Sequence, residues 1–127
     1  MVATIHFRTR GNDVAVTVSE RDASYFSVST AFELPPWAHD RAKNGEIFLE
    51  LQASLKAVKF FYIDEGAAFV AAIEQFSSSA EEFEKILRRI VGIVREAGTT
   101  ALERILDSNV TKAAAEKFIN EFTKGER

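Results

Sequence analysis

Apolar and polar residues alternate along the first part of the chain and recur at helical spacing in its second half. Alternation at period two is typical of strands with one buried face, and recurrence every three or four residues is typical of amphipathic helices. Residues 2–34 follow the first pattern and residues 65–124 follow the second. Because each half has one apolar face that the other can cover, we predict an α+β fold: an N-terminal antiparallel sheet of three to five strands packed against three or four C-terminal helices.

Three strands are predicted in the alternating region, over residues 2–10, 13–20 and 25–34. Gly11-Asn12 favours a hairpin turn between the first two strands, and Pro35-Pro36 ends the third because proline cannot donate to the ladder. The alternation assigns these apolar side chains to the inward face: Ile5, Phe7, Val14, Val16, Val18, Phe26, Val28 and Phe32. We expect the helices to cover this face.

The segment that follows allows two interpretations. Residues 35–45 are predicted to form a loop, but residues 46–63 fit either a helix or two strands. A helix would align Ile47, Leu51, Leu55, Val58 and Tyr62, whereas two strands would align Ile47 with Leu49 and Leu51, and Val58 with Phe60 and Tyr62. We prefer a fourth and a fifth strand joined near residues 53–56, because the second part of the segment is rich in residues with high β propensity.

Four helices are predicted in the C-terminal half. Asp64 is a candidate N-cap for a helix over residues 65–76, and the pair Ser79 and Glu82 forms a capping box for a helix that Gly98 ends. A second capping box, Thr100 and Glu103, starts a short helix that breaks at residues 107–109. The last helix would bury Val110, Ala114, Phe118 and Phe122.

Length and composition favour one domain over residues 1–127, with the sheet at 2–63 and the helical layer at 65–124. The chain is 46% hydrophobic and has eleven phenylalanines, enough for a single core. Disulfides, thiolate zinc sites and thiol nucleophiles are excluded because there is no cysteine. The longest apolar run, residues 67–73, is far shorter than a membrane span needs. With no signal-peptide pattern at the start, we expect a cytoplasmic protein without membrane contact.

One face of the predicted sheet has the composition of a nucleic-acid-binding surface. His6, Arg8 and Arg10 share the polar side of the first strand, and Tyr25 would lie on the same face of the sheet. Cations that meet phosphates and a ring that stacks on a base are how several sheet modules bind single strands. The formal net charge of −3 disfavours a general nucleic-acid binder. We therefore treat this function as the alternative, and a solvated strand face as the simpler interpretation.

Two other features favour contacts with proteins. Trp37 lies beside two prolines, a setting suited to a binding anchor, although a lid over the sheet explains it equally. Basic residues on one predicted helix surround a glycine that costs about 1 kcal/mol in a helix interior. This set comprises Lys85, Arg88, Arg89, Gly92 and Arg95. Close approach of another helix or chain would explain Gly92, so we expect a protein partner or a homodimer formed through the helices.

Catalytic chemistry is the third hypothesis. His39-Asp40 is the only adjacent histidine and acid in the chain, and adjacent loop residues usually point apart. With two histidines in total, we assign no catalytic residue, no metal ligand and no cofactor. The sequence thus predicts a small non-enzymatic binding or regulatory protein.

Overall fold

Five strands and two helices make up the computed structural model, which describes residues 3–9, 12–18, 25–55 and 57–125. In chain order they are β1 (Ala3–Thr9), β2 (Asn12–Val18), β3 (Tyr25–Glu33), α1 (Arg41–Ser54), β4 (Val58–Ile63), β5 (Ala68–Phe76) and α2 (Ala80–Gly125). Two 3₁₀ turns, Pro36–Ala38 and Asp64–Gly66, precede α1 and β5 respectively.

The strands form one antiparallel sheet in the order β1-β2-β3-β5-β4. Since β3 and β4 both run antiparallel to β5, they run parallel to each other, and α1 provides the crossover between them. Phe48 of α1 packs against Phe60 and Phe69, and Phe83 of α2 stacks on Phe26 at 4.0 Å between ring centroids. Both helices therefore cover the same face of the sheet, which confirms the α+β class and the antiparallel sheet.

The first three strands lie where the alternation predicts them. Most of the expected inward side chains are buried, namely Val14, Val16, Phe26, Val28 and Phe32. Phe7 and Val18 are partly buried, and Ile5 keeps 65% of its surface exposed. β1 is the edge strand, and its Phe7 borders a groove together with Leu87 and Val91 of α2. Alternation thus predicts which side chains point toward the helices, but the width of the helical layer decides how many of them are buried.

The predicted loop is right for residues 35–40, which include the first 3₁₀ turn. Residues 41–54 form α1, so the end of the predicted loop and the strand predicted after it are wrong. Asp40 caps this helix by accepting a hydrogen bond from the Lys43 backbone NH at 3.2 Å. Phe48 and Leu51 face the sheet, and both are buried. Of the two interpretations of residues 46–63, the helix is therefore right for residues 46–54 and the strand is right for residues 58–63.

The helix predicted over residues 65–76 is a strand, β5, and Asp64 caps no helix. Ala68, Val70 and Ala72 on one face of β5 are buried, as are Phe69, Ala71 and Ile73 on the other. A strand between two neighbours reads as a continuous apolar run, which periodicity alone cannot tell from a buried helix. The turn before it has positive φ at Asp64, Glu65 and Gly66.

One helix of 46 residues, α2, replaces the three helices predicted after residue 79. Its start is confirmed, because the Glu82 backbone NH donates to Ser79 Oγ at 3.1 Å. Gly98 does not end it. A Cβ at Gly98 would lie 2.2 Å from Phe32 Cε2, so the glycine lets the helix backbone approach β3. Thr100 and Glu103 are accordingly in mid-helix and form no capping box.

Asn109, expected to break the helix, is instead buried inside it. Its Nδ2 donates to the Ile105 carbonyl at 2.7 Å and to Asn44 Oδ1 at 3.1 Å. Asn44 Nδ2 in turn donates to the Ala38 carbonyl at 2.8 Å, and Lys43 Nζ donates to the Ser108 carbonyl at 2.9 Å. The polar residues at 107–109 thus fasten α2 to α1.

Asn109 is the last residue of α2 whose described side chain is buried. Val110, Ala114 and Phe118, expected to be buried, are exposed, and Phe118 keeps 69% of its surface accessible. The side chain of Phe122 lies outside the described residues. The last part of α2 therefore extends past the layer that covers the sheet.

Gly98→Ala should lower the free energy of unfolding by about 1–3 kcal/mol, because the new methyl group overlaps the Phe32 ring. Gly92→Ala is the matched control: a Cβ there meets no described atom within 4 Å, so stability should rise by up to about 1 kcal/mol. Urea denaturation at low protein concentration measures both. Equal effects of the two variants would contradict the close approach, and Phe32→Leu should partly restore Gly98→Ala.

Asn44→Ala should destabilise the protein by about 1–3 kcal/mol, because it leaves the buried Asn109 amide and the Ala38 carbonyl without this partner. Ser108→Ala is the control, since it keeps the backbone carbonyl that Lys43 binds. Thermal or urea unfolding of both variants tests the prediction. A loss in Ser108→Ala as large as that in Asn44→Ala would assign the effect to the helix rather than to the amide network.

Candidate protein-binding surfaces

The face of the sheet opposite the helices, here called the open face, has no covering layer among the described residues. Register places one row across all five strands, formed by His6, Ala15, Ser29, Ala72 and Lys59. The next row along contains Ala31, Val70 and Phe61 on β3, β5 and β4. Alternation along each strand puts all of these side chains on the side away from α1 and α2.

Small residues form the floor of the open face, and larger ones its rim. The floor consists of Ala15, Ser27, Ser29, Ala31, Ala68 and Ala72. Val70 also belongs to it and is only 8% exposed, flanked by Phe61. Phe61 itself is 47% exposed on the β4 edge. A flat floor beside an exposed aromatic ring is suited to an apolar surface of another protein.

A polar cluster closes one end of the open face. Lys59 Nζ lies 2.7 Å from Glu74 Oε2, and the Tyr25 hydroxyl is also hydrogen-bonded to this carboxylate. Lys59, and then Tyr25, hold the pKa of Glu74 below its ordinary value, and the same bond to Glu74 raises the pKa of Tyr25. The Tyr25 ring meets Phe76 edge-on at 5.1 Å. The charged groups of the cluster, Lys59 and Glu74, are thus paired with each other, and the rings of Tyr25 and Phe76 lie at the surface.

Three of the four residues predicted for nucleic-acid binding share the open face, namely His6, Arg8 and Tyr25. Arg8 forms an ion pair with Asp13 at 3.0 Å, and Tyr25 packs against Phe76. Arg10 lies outside the described residues. These three side chains therefore share one face of the sheet, but the described arginine, Arg8, is already paired with the Asp13 carboxylate.

Trp37 and the basic residues of α2 do not form one site. Trp37 is 46% exposed in the first 3₁₀ turn. The Ala38 carbonyl of this turn accepts a hydrogen bond from Asn44, which in turn contacts Asn109 of α2, so the turn lies near Asn109. Arg95 is 14 residues earlier in the helix, about 20 Å away along its axis. The lid interpretation and the anchor interpretation of Trp37 both stay predictions.

The basic residues themselves divide between two sides of α2. Arg95 Nε donates to Asn12 Oδ1 at 3.3 Å, and Arg88 borders a groove beside Phe7, so both lie toward the β1 and β2 edge. Lys85 pairs with Glu82 at 3.1 Å. Arg89 and Gly92 are exposed. No described atom of the chain would meet a Cβ at Gly92 within 4 Å, so another helix of this chain does not explain the glycine.

The described hydrogen bonds of His39 and Asp40 go to the backbone of other residues. His39 Nε2 lies 2.8 Å from the Leu34 carbonyl oxygen, and Asp40 caps α1. Within the described ranges, no group of three or more His, Cys, Asp or Glu side chains is arranged to hold a metal ion. In the same residues, no helix has the length and apolarity required to cross a bilayer.

Lys59→Met should raise the pKa of Glu74 toward its ordinary value, and by more than Tyr25→Phe does, because Lys59 makes the larger contribution. Since the folded-state pKa of Glu74 is lowered, its contribution to stability is present above the unfolded-state pKa and is lost as pH falls through the folded-state value. Carboxyl NMR titration measures the shift. Arg8→Met, at the far side of the open face, should leave it unchanged; an equal shift there would indicate a general charge effect.

Comparison with known proteins shows the fold and no more. No protein-family model matches the chain, and no curated protein matches it in sequence. The chain is similar to the crystal structure of an uncharacterized protein from Methanothermobacter thermautotrophicus, with TM-score 0.52, 12% identity, and coverage of 82% of this chain and 87% of that chain. It is also similar to YbjN, "a putative transcription regulator" from E. coli, with TM-score 0.53, 18% identity, and coverage of 86% of this chain and 78% of that chain.

Proposed function

We propose that this protein is a non-enzymatic binding protein of the regulatory class, and that it binds another protein on the open face of its sheet. The observation that supports this is the floor of small side chains beside the exposed Phe61 ring. Phe61 and Ala31 are exposed there, and an apolar partner that covers them beside the buried Val70 gains free energy by removing them from water. A cytoplasmic location belongs to the same proposal.

The charges around the floor favour a partner with an apolar centre. Lys59 is paired with Glu74 and Arg8 with Asp13, so each described cation in these pairs already has a carboxylate. Phosphate binding would have to compete with those carboxylates, whereas an apolar contact across Ala31, Val70 and Phe61 leaves both pairs intact. A protein segment is therefore the favoured ligand, and a single-stranded nucleic acid is the alternative outcome of the test.

The regulatory role draws support from one structural neighbour. YbjN has a similar fold and is described as "a putative transcription regulator". A regulator can act through contacts with another protein as well as through nucleic acid. We assign the first mode to this chain because of the composition of its open face.

Phe61→Lys tests the proposal, since it places a charge at the centre of the apolar rim without touching the buried core. Leu49→Lys is the matched control: Leu49 is also exposed, but it belongs to α1 on the helical side of the sheet. Both variants and the unmodified protein are used for affinity capture from the native cell, followed by mass spectrometry and nuclease-sensitive staining. Circular dichroism checks that both variants keep the fold.

We expect specific proteins to be captured by the unmodified chain and by Leu49→Lys, and to be lost or strongly reduced with Phe61→Lys. Capture of nucleic acid in place of protein would instead support the alternative. A protein that is retained equally by both variants would show that the open face is not the binding surface.

A further inference from the structure

The side of α2 that faces away from the sheet has a regular sequence of its own. Its exposed residues recur at spacings of four and three and are here called the outer seam: Lys85, Arg89, Gly92, Glu96, Thr99 and Glu103. The sheet-facing stripe of the same helix, which includes Phe83, Ile90, Val94 and Ala101, is buried. A heptad-spaced seam runs nearly straight along a helix and is the pattern along which a second helix can lie.

Gly92 gives the outer seam its shape. Glycine in a helix interior reduces helix stability relative to alanine, and no described atom lies within 4 Å of the position that a Cβ would take. A shallow, open hollow of about 650 Å³ surrounds Gly92, and its lining includes Arg89, Ile93, Arg95 and Glu96. Ile93 is 40% exposed there. The hollow therefore combines a backbone open to close approach with one apolar side chain.

Charge along the outer seam is divided by position. Lys85 and Arg89 lie before Gly92, and Glu96 and Glu103 lie after it. A second copy of the same helix laid antiparallel brings the basic half of each copy against the acidic half of the other. A parallel copy would oppose like charges, which is unfavourable. The seam is thus complementary to itself in one orientation only.

We propose that a second copy of this chain binds along the outer seam, with the two α2 helices antiparallel about a two-fold axis that crosses the seam midway between Gly92 and Glu96. In this register Lys85, which also pairs with Glu82 of its own helix, faces Glu103 of the partner subunit. Glu96 enters the space above the partner's Gly92 and lies about one helical turn from the partner's Arg89. Such an interface is isologous, so every contact occurs twice.

This dimer goes beyond the proposed function and does not depend on it. The outer seam and the open face lie on opposite sides of the molecule, because α2 separates the seam from the sheet. Two copies joined through α2 leave both open faces accessible. A partner bound to the sheet and a second copy bound to the helix are therefore compatible.

Charge reversal tests the proposal. Arg89→Glu and Glu96→Arg should each weaken the dimer at least about tenfold, because each variant opposes like charges at the centre of the seam. The two changes combined should restore most of the affinity. Sedimentation equilibrium gives the dissociation constant, and higher salt should weaken the unmodified dimer since its charged groups are solvent-exposed. Gly92→Leu, which fills the hollow, should also weaken the dimer while the chain stays folded.

Arg88→Glu is the matched control, because it makes the same change one residue earlier, toward the Phe7 groove and away from the outer seam. It should leave the dissociation constant within about twofold. A monomer at all accessible concentrations would overturn the proposal, as would equal weakening by Arg88→Glu or no restoration in the double variant. Phe61→Lys should still dimerise, so failure of the sheet-face proposal and failure of this one give different results.

Discussion

The contact between the α2 backbone and the Phe32 ring at Gly98 is the constraint on which the rest of this structure depends. It sets how closely the long helix can lie over the central strands, and the stacked rings of Phe26 and Phe83 hold the same helix nearer its start. With α1 beside it, α2 fills the layer on one side of the sheet. Most of the large inward side chains contact that layer, whereas the opposite face has a floor of small residues and Val70, the exposed Phe61 ring and the paired Lys59 and Glu74.

The fold class could be predicted because the first three strands have clean alternation and a hairpin turn. The rest could not, for a physical reason in each case. Residues 67–73 are apolar on both faces since β5 lies between two strands, so their periodicity carries no information. Gly98 and Asn109 have the local preferences of helix ends, but tertiary contacts override them: a ring packs on the first and an amide network surrounds the second. Each such residue has a packing partner far away in sequence.

The candidate sites also depend on contacts between residues far apart in sequence, which local patterns do not predict. Alternation placed His6, Arg8 and Tyr25 on one face of the sheet, because period two is a local rule. It could not show that Asp13 neutralises Arg8, nor that the floor of the face includes Val70, since that strand was assigned as a helix. The signal that could have found the floor is the repeated Ala or Ser at outward positions of β2 and β3. Gly92 draws attention in the sequence by its cost in a helix interior, and no described atom of the chain lies within 4 Å of the position that a Cβ would take there.

The far end of α2 has a different physical status from its middle. The described side chains over residues 114–121 are all exposed, whereas Ile105 and Asn109 are buried. Among the described side chains after Asn109 none is buried, so this part of the helix depends mainly on propagation from the packed part, which adds little stability per residue. Amide protection against hydrogen exchange should accordingly fall toward the C-terminus along one continuous helix. One helix thus combines a segment that unfolds with the core and a segment that is expected to fray from its end.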